Sequence, residues 1–169
     1  MGHIKTLLVP IDGSPASVAG LAAAVTLAED LHAEVHVLSV NVPSHFEVGS
    51  ATDSVEAERA KVEHDREEAI AVARSELGER LRLRNETGDP MRTILEVANK
   101  EHVDLIVMGT HGRVGRLHAL VGSVAEGVVR NAPCPVMTVR QPGVQEESFG
   151  ERLHGRESIS VQATHPPRH

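Results

Sequence analysis

At 169 residues the chain is long enough for one domain with a core of its own and too short for two of ordinary size. Acidic side chains (24) outnumber basic ones (17), and the net charge of −7 argues against a nucleic-acid partner, which requires a basic surface to displace counterions. A single Cys leaves no intrachain disulfide, and no run approaches the ~18 apolar residues of a membrane span, so a reducing, cytoplasmic setting away from the membrane is expected.

Ile4 to Ile11 is a short apolar run that predicts a buried strand. Ser14 then stands as a helix N-cap and Pro15 as the first helical residue, with Val18, Leu21, Ala22, Val25 and Ala28 following at helical spacing. Residues 34–40 predict a second strand, 42–52 a loop, and 53–77 a long charged helix with a thin stripe of Val55, Val62, Ile70, Ala73 and Leu77. Leu81 to Glu86 alternates leucine with arginine, as an edge strand does. Gly88-Asp89-Pro90 opens a third helix that places Met91, Ile94, Leu95 and Ala98 on one face. Val103 to Met108 is the most apolar strand; a glycine-rich loop follows, then a helix buried through Val121, Val124, Ala125 and Val128, then a strand from Pro135 to Arg140. Residues 142–169, with few large apolar side chains, are expected to form a flexible or disordered tail outside a domain of residues 1–141.

Strands alternating with helices predict an α/β fold, an open five-stranded parallel sheet with helices on both faces. Ligands of such sheets sit beyond the carboxyl ends of the strands, where the strand order reverses. The ends of strands one and four carry Asp12 and Gly109.

The loop after strand four reads GTHGRVGRLHALVGSV, Gly109 to Val124, with glycines at 109, 112, 115 and 122. A strand feeding a glycine-rich turn that opens a helix suits an anion: glycine permits close approach, successive amides form a nest, and the helix start adds unpaired N–H donors. Ser123 and Glu126 also have capping-box spacing, so Ser123 serves either the anion or its own helix. The loop lacks a Gly-Lys-Ser/Thr ending and is no P-loop. Arg113 and Arg116 are its only fixed positive side chains, and His111 and His118 flank them. With two Phe and no Trp or Tyr, any base pocket must be aliphatic and use backbone polar groups. The 11 histidines include no helical His-x3-His pair with an acid partner, so no metal centre is expected, and no catalytic triad or nucleophile elbow can be argued.

Three segments together resemble the universal stress protein family: Leu7 to Ser14, Asp104 to Arg113, and Gly122 to Glu126 continuing to Ala132-Pro133-Cys134-Pro135-Val136. The spacing Gly109-x2-Gly112-x9-Gly122-Ser123 is that of the family's nucleotide-binding members. The resemblance spans residues 4 to 140 and implies strand order 3-2-1-4-5, with an adenine nucleotide across the ends of strands one and four. It implies that Pro10 and Asp12 line the adenosine end, Asp12 accepting from a ribose hydroxyl, and that Val40 meets the adenine edge through its backbone. Met108, Gly109, Gly112, Gly122, Ser123 and Val124 would hold ribose and phosphates, with Arg113 beside them. The ligand so implied is ATP, with Mg²⁺ on its phosphates, and AMP or cyclic AMP are the alternatives. With no water-activating residue in view, binding with slow or no hydrolysis is expected. The family also implies a homodimer through strand five, residues 135–140. A nucleotide-free dimeric interaction protein and a nucleotide-using enzyme of related fold are the competing readings.

Overall fold

The strongest apolar runs of the sequence become the centre of one parallel sheet. A computed structural model describes residues 3–43, 53–110 and 122–140. In chain order these form β1 (Thr6–Pro10), α1 (Pro15–Leu31), β2 (Glu34–Asn41), α2 (Asp53–Leu77), a single 3-10 turn (Gly78–Arg80), β3 (Leu81–Thr87), α3 (Pro90–Lys100), β4 (Leu105–Gly109), α4 (Ser123–Asn131) and β5 (Val136–Val139). The sheet order is β3-β2-β1-β4-β5, as expected. Leu81–Thr87 lies at one edge, where its alternating Leu and Arg placed it.

Alternation along the strands divides the core in two. Leu7, Val9, Val35, Val37 and Val107 face α1 and α2, meeting Leu21, Ala24, Ala28, Ala73 and Leu77. Leu8, Leu38, Ile106, Met108 and Val136 face α3 and α4, meeting Ile94, Val97, Ala98, Ala125 and Val128. Helices therefore cover both faces.

The buried stripe of α1 differs from the periodicity. Ala22 is exposed and Val25 only partly buried, while Gly20, Leu21, Ala24 and Ala28 face inward. The reason is close approach. A methyl carbon on Gly20 would lie 3.2 Å from the Gly109 nitrogen, so small residues sit where helix and sheet touch. Ser14 caps α1 as expected, its Oγ accepting from Ser17 N–H at 3.2 Å, with Pro15 next. At the other ends of α1 and α3, His32 (φ 53°) and His102 (φ 50°) take the left-handed conformation that more often falls to Gly or Asn.

On the α3 side of the sheet, an ion network lies over β3 and the first half of β2. His36 Nδ1 lies 2.6 Å from Glu101 Oε2, Arg84 pairs with Glu101 and with Glu86, and Arg82 Nε donates to Glu34 at 2.9 Å. Burial pushes the Glu101 carboxyl up, but the His36 hydrogen bond and the His36 and Arg84 charges outweigh it and hold the group below its usual range. The hydrogen bonds from Arg82 and His36 hold Glu34 down. His36 is thus no plain surface histidine; its ring is 16% exposed and bound in this network.

Candidate functional site

The crevice follows from the connections. The chain leaves β1 toward α1 on one face and leaves β4 toward α4 on the other, so the strand order reverses between β1 and β4. β1 pairs with β4 only through Leu7↔Leu105 and Leu8↔Ile106, although β1 runs on to Pro10 and β4 to Gly109. Against β2 the pairing of β1 continues to Pro10↔Leu38. The two central strands therefore part before they end, at the place the sequence marked with Asp12 and Gly109.

On one wall, Asp12 is exposed and organises the turn into α1. Its Oδ1 accepts from Ser14 N–H at 3.0 Å and from Ser14 Oγ at 2.6 Å, while its own N–H donates to Ser17 Oγ at 3.3 Å. Gly13 follows at φ +81°, in the left-handed region. A Cβ there would lie 2.5 Å from the Val62 carbonyl oxygen, so α2 rests directly on this turn.

Strand two supplies main-chain groups. Ile11 N–H donates to the Leu38 carbonyl at 2.9 Å, on the β1 side, and Gly88 N–H donates to the Asn41 carbonyl at 2.9 Å, on the β3 side. Backbone groups alternate along a strand, so the N–H and C=O of Val40 point together toward the β1 side, past the last strand pair with β1. The Val40 side chain packs against the α3–α4 half of the core. Core packing and an outward-facing backbone edge thus fall to different parts of one residue.

On the other wall, Met108 is 5% exposed and buried among Leu8, Ile106 and Ala125. Ile106 N–H and Thr110 N–H both donate to β5, so by alternation the backbone groups of Met108 also point toward β5, opposite Thr138. Gly109 has a scaffold reason to be glycine. A Cβ would lie 2.5 Å from both C and O of Ala16 and 2.8 Å from Ser17 N. Thr110 N–H donates to Val139 C=O at 3.0 Å, and Gly122 N–H donates to Thr110 C=O at 2.6 Å. The first bond ties the end of β4 to β5, and the second brings the start of α4 back to the end of β4.

Gly122 is the N-cap of α4 (φ −71°, ψ 156°), and no side chain caps this helix. Ser123 is therefore the first helical residue and not a cap, which removes the capping-box reading. The Gly122 amide is spent on Thr110, so the donors left by helix geometry are those of Ser123, Val124 and Ala125. Ser123 is exposed, while Val124 is partly buried against Val40's half of the core. Pro10, half-buried at the end of β1, completes the group. Pro10, Asp12, Val40, Met108, Gly109, Gly122, Ser123 and Val124 thus gather at the carboxyl edge of the sheet. Gly112, Arg113, His111 and His118, together with residues 142–169, lie outside the described residues.

Arg66 was not marked by the sequence. Its Nη1 donates to Ser39 Oγ at 2.9 Å, and it pairs with Glu63 one turn back. Nothing local distinguishes it from the other charges of α2; only its spacing of four from Val62 hints that it faces inward. Among the described residues no group of His, Cys, Asp and Glu could hold a metal ion, and no helix is long and apolar enough to cross a membrane.

The universal stress protein family model matches residues 3–140. Universal stress protein MJ0531 of Methanocaldococcus jannaschii is 36% identical over 141 residues, covering 82% of this chain and 83% of that protein. Universal stress protein YxiE of Bacillus subtilis is 33% identical, covering 79% and 97%. Among solved structures, UspA from Lactobacillus plantarum superposes with a TM-score of 0.68 at 27% identity, covering 83% of this chain and all of that one. A universal stress protein solved in complex with cAMP superposes with a TM-score of 0.62 at 25% identity, covering 83% and 99%. Sequence, strand order and superposition agree, and the chain belongs to the universal stress protein family.

Proposed function

We propose that this protein is a stress-response or signalling protein that binds ATP across the β1–β4 crevice. The observation that carries the reading is the start of α4. A helix that opens on a glycine cap with no capping side chain, tied back to the crevice by the Gly122–Thr110 bond, presents its first amides and its dipole to an anion. A related protein of known structure holds cAMP, so an adenine nucleotide suits this fold.

In this reading the amides of Ser123, Val124 and Ala125, with the Ser123 hydroxyl, take the phosphates, and Gly112 and Arg113 add to them. Asp12 accepts from a ribose hydroxyl. The Val40 carbonyl and amide, which face one way, match the adjacent donor and acceptor of the adenine edge. Mg²⁺ would ride on the phosphates and neutralise their charge. The described site residues offer backbone amides, a serine and an aspartate already engaged in its own turn. That set binds a nucleotide and leaves the attacking water without a positioned base, so turnover is slow or absent. β5, at the sheet edge, pairs with a second copy in a dimer.

The absence of Trp and Tyr gives a direct test. The polypeptide absorbs little at 280 nm, so bound adenine shows as a peak near 260 nm that persists through gel filtration and leaves on denaturation. Recovery of an adenine nucleotide, identified by mass, supports the reading. A featureless spectrum, with no thermal shift on adding ATP, contradicts it.

A further inference from the structure

We propose that Arg66 sets the base specificity of the site as a positioning residue, by holding the end of β2 through Ser39. The inference rests on the nucleotide-binding reading above and adds a residue and a selectivity to it.

α2 touches the crevice walls at two points on one helical face. Val62 lies against Gly13, the residue after Asp12, and Arg66, one turn further, donates to Ser39, the residue before Val40. The Ser39 side chain is 7% exposed and belongs to the α1–α2 face of the sheet, whereas Val40 belongs to the other face. The charged hydrogen bond therefore grips β2 from behind the surface that would meet a base. The strand end needs a hold here. β1 pairs with β2 only as far as Leu38, so from Ser39 onward β2 has lost its strand neighbour on the crevice side and pairs with β3 alone.

Discrimination between purines depends on that hold. Adenine offers a donor at N6 and an acceptor at N1; guanine offers an acceptor at O6 and a donor at N1. A fixed carbonyl and amide on Val40 complement the first and oppose the second. A strand end free to shift, or to admit water, relieves the mismatch with guanine and loosens the match with adenine, so selectivity falls before the fold does. Glu63 keeps the guanidinium in place from the solvent side, its carboxylate accepting from Nη2.

The test compares the wild type with Arg66→Ala, Arg66→Lys and Ser39→Ala by calorimetric titration with ATP and GTP, alongside thermal melts. Loss of a charge-assisted bond predicts that the ATP:GTP affinity ratio falls about tenfold in Arg66→Ala and in Ser39→Ala. The double variant should fall no further than either single one. Arg66→Lys, which can still donate to Ser39 Oγ, should recover part of the ratio. A ratio unchanged within about twofold in both single variants overturns the proposal, even if melting temperatures drop, because a purely structural arginine would move stability alone. In that case ATP binding by the wild type, lost in Gly122→Val, leaves the nucleotide-binding reading standing. A wild type that binds neither nucleotide overturns both.

Discussion

Replacing Gly109 by alanine isolates the contact that joins the fold to the crevice. The added methyl would lie 2.5 Å from C and O of Ala16 and 2.8 Å from Ser17 N, all backbone atoms of the first turn of α1. Backbone cannot rotate away as a side-chain tip can, so α1 must lift from β4. Overpacking a core costs about 1–3 kcal/mol, and a collision with backbone belongs at the upper end, about 3 kcal/mol. For a domain of this size that lowers the melting temperature by about 10 °C. Gly20→Ala is the matched control across the same contact. Its methyl would meet Gly109 N at 3.2 Å and Met108 C at 3.3 Å, a far milder approach. The helix-propensity gain of about 1 kcal/mol for alanine over glycine should offset most of that cost. The displacement should also reach the ligand, because Ser17 Oγ holds the Asp12 amide and Ser17 N–H is capped by Ser14. Paired thermal melts and ATP titrations read both effects. A Gly109→Ala protein that melts within about 2 °C of the wild type, or below which Gly20→Ala falls, would refute the reasoning.

Two further predictions concern groups away from the crevice. Burial pushes the Cys134 thiol up to about 11, so at pH 8 the native protein should react with iodoacetamide about 100-fold more slowly than the urea-unfolded chain; native and unfolded rates within tenfold would contradict this. Glu101, held below its usual 4.5 by His36 and Arg84 despite the opposing effect of burial, stabilises the fold fully above that pH, and the contribution is lost as pH falls through the lowered native value. Glu101→Gln should therefore cost about 1 kcal/mol in urea unfolding at pH 7 and much less near pH 3, and an equal cost at both would refute the assignment.

The sheet was legible because its signals are local. The run Val103 to Met108 reads as a buried strand from six residues, and Ser14-Pro15 reads as a helix start from two. The glycine pattern marked the end of β4, where the structure brings back the start of α4. What could not be read were the reasons that act across the fold. Gly109 looked like a residue kept small for a ligand, yet the atoms nearest its missing Cβ belong to Ala16, more than ninety positions away in sequence. The same approach turned the stripe of α1 toward Gly20 and Ala24 and left Ala22 outside. His36 found its partner in Glu101 on another element, and Arg66 found Ser39. Neither pairing leaves a trace in local periodicity. Ser123 shows the opposite case: its capping-box spacing with Glu126 is a sound local signal, but Gly122 occupies the cap position.

In the proposed function the start of α4 holds a polyphosphate. Gly122 has dihedral angles any residue can adopt, so Gly122→Val should keep the backbone while placing a branched side chain at the mouth of the cradle. Titration of nucleotide-free wild type and Gly122→Val with ATP, with melts of both, tests this most directly. One saturable site per chain is expected in the wild type and at least tenfold weaker binding in the variant, with the melting temperature kept. Equal ATP affinity in the two proteins would contradict it.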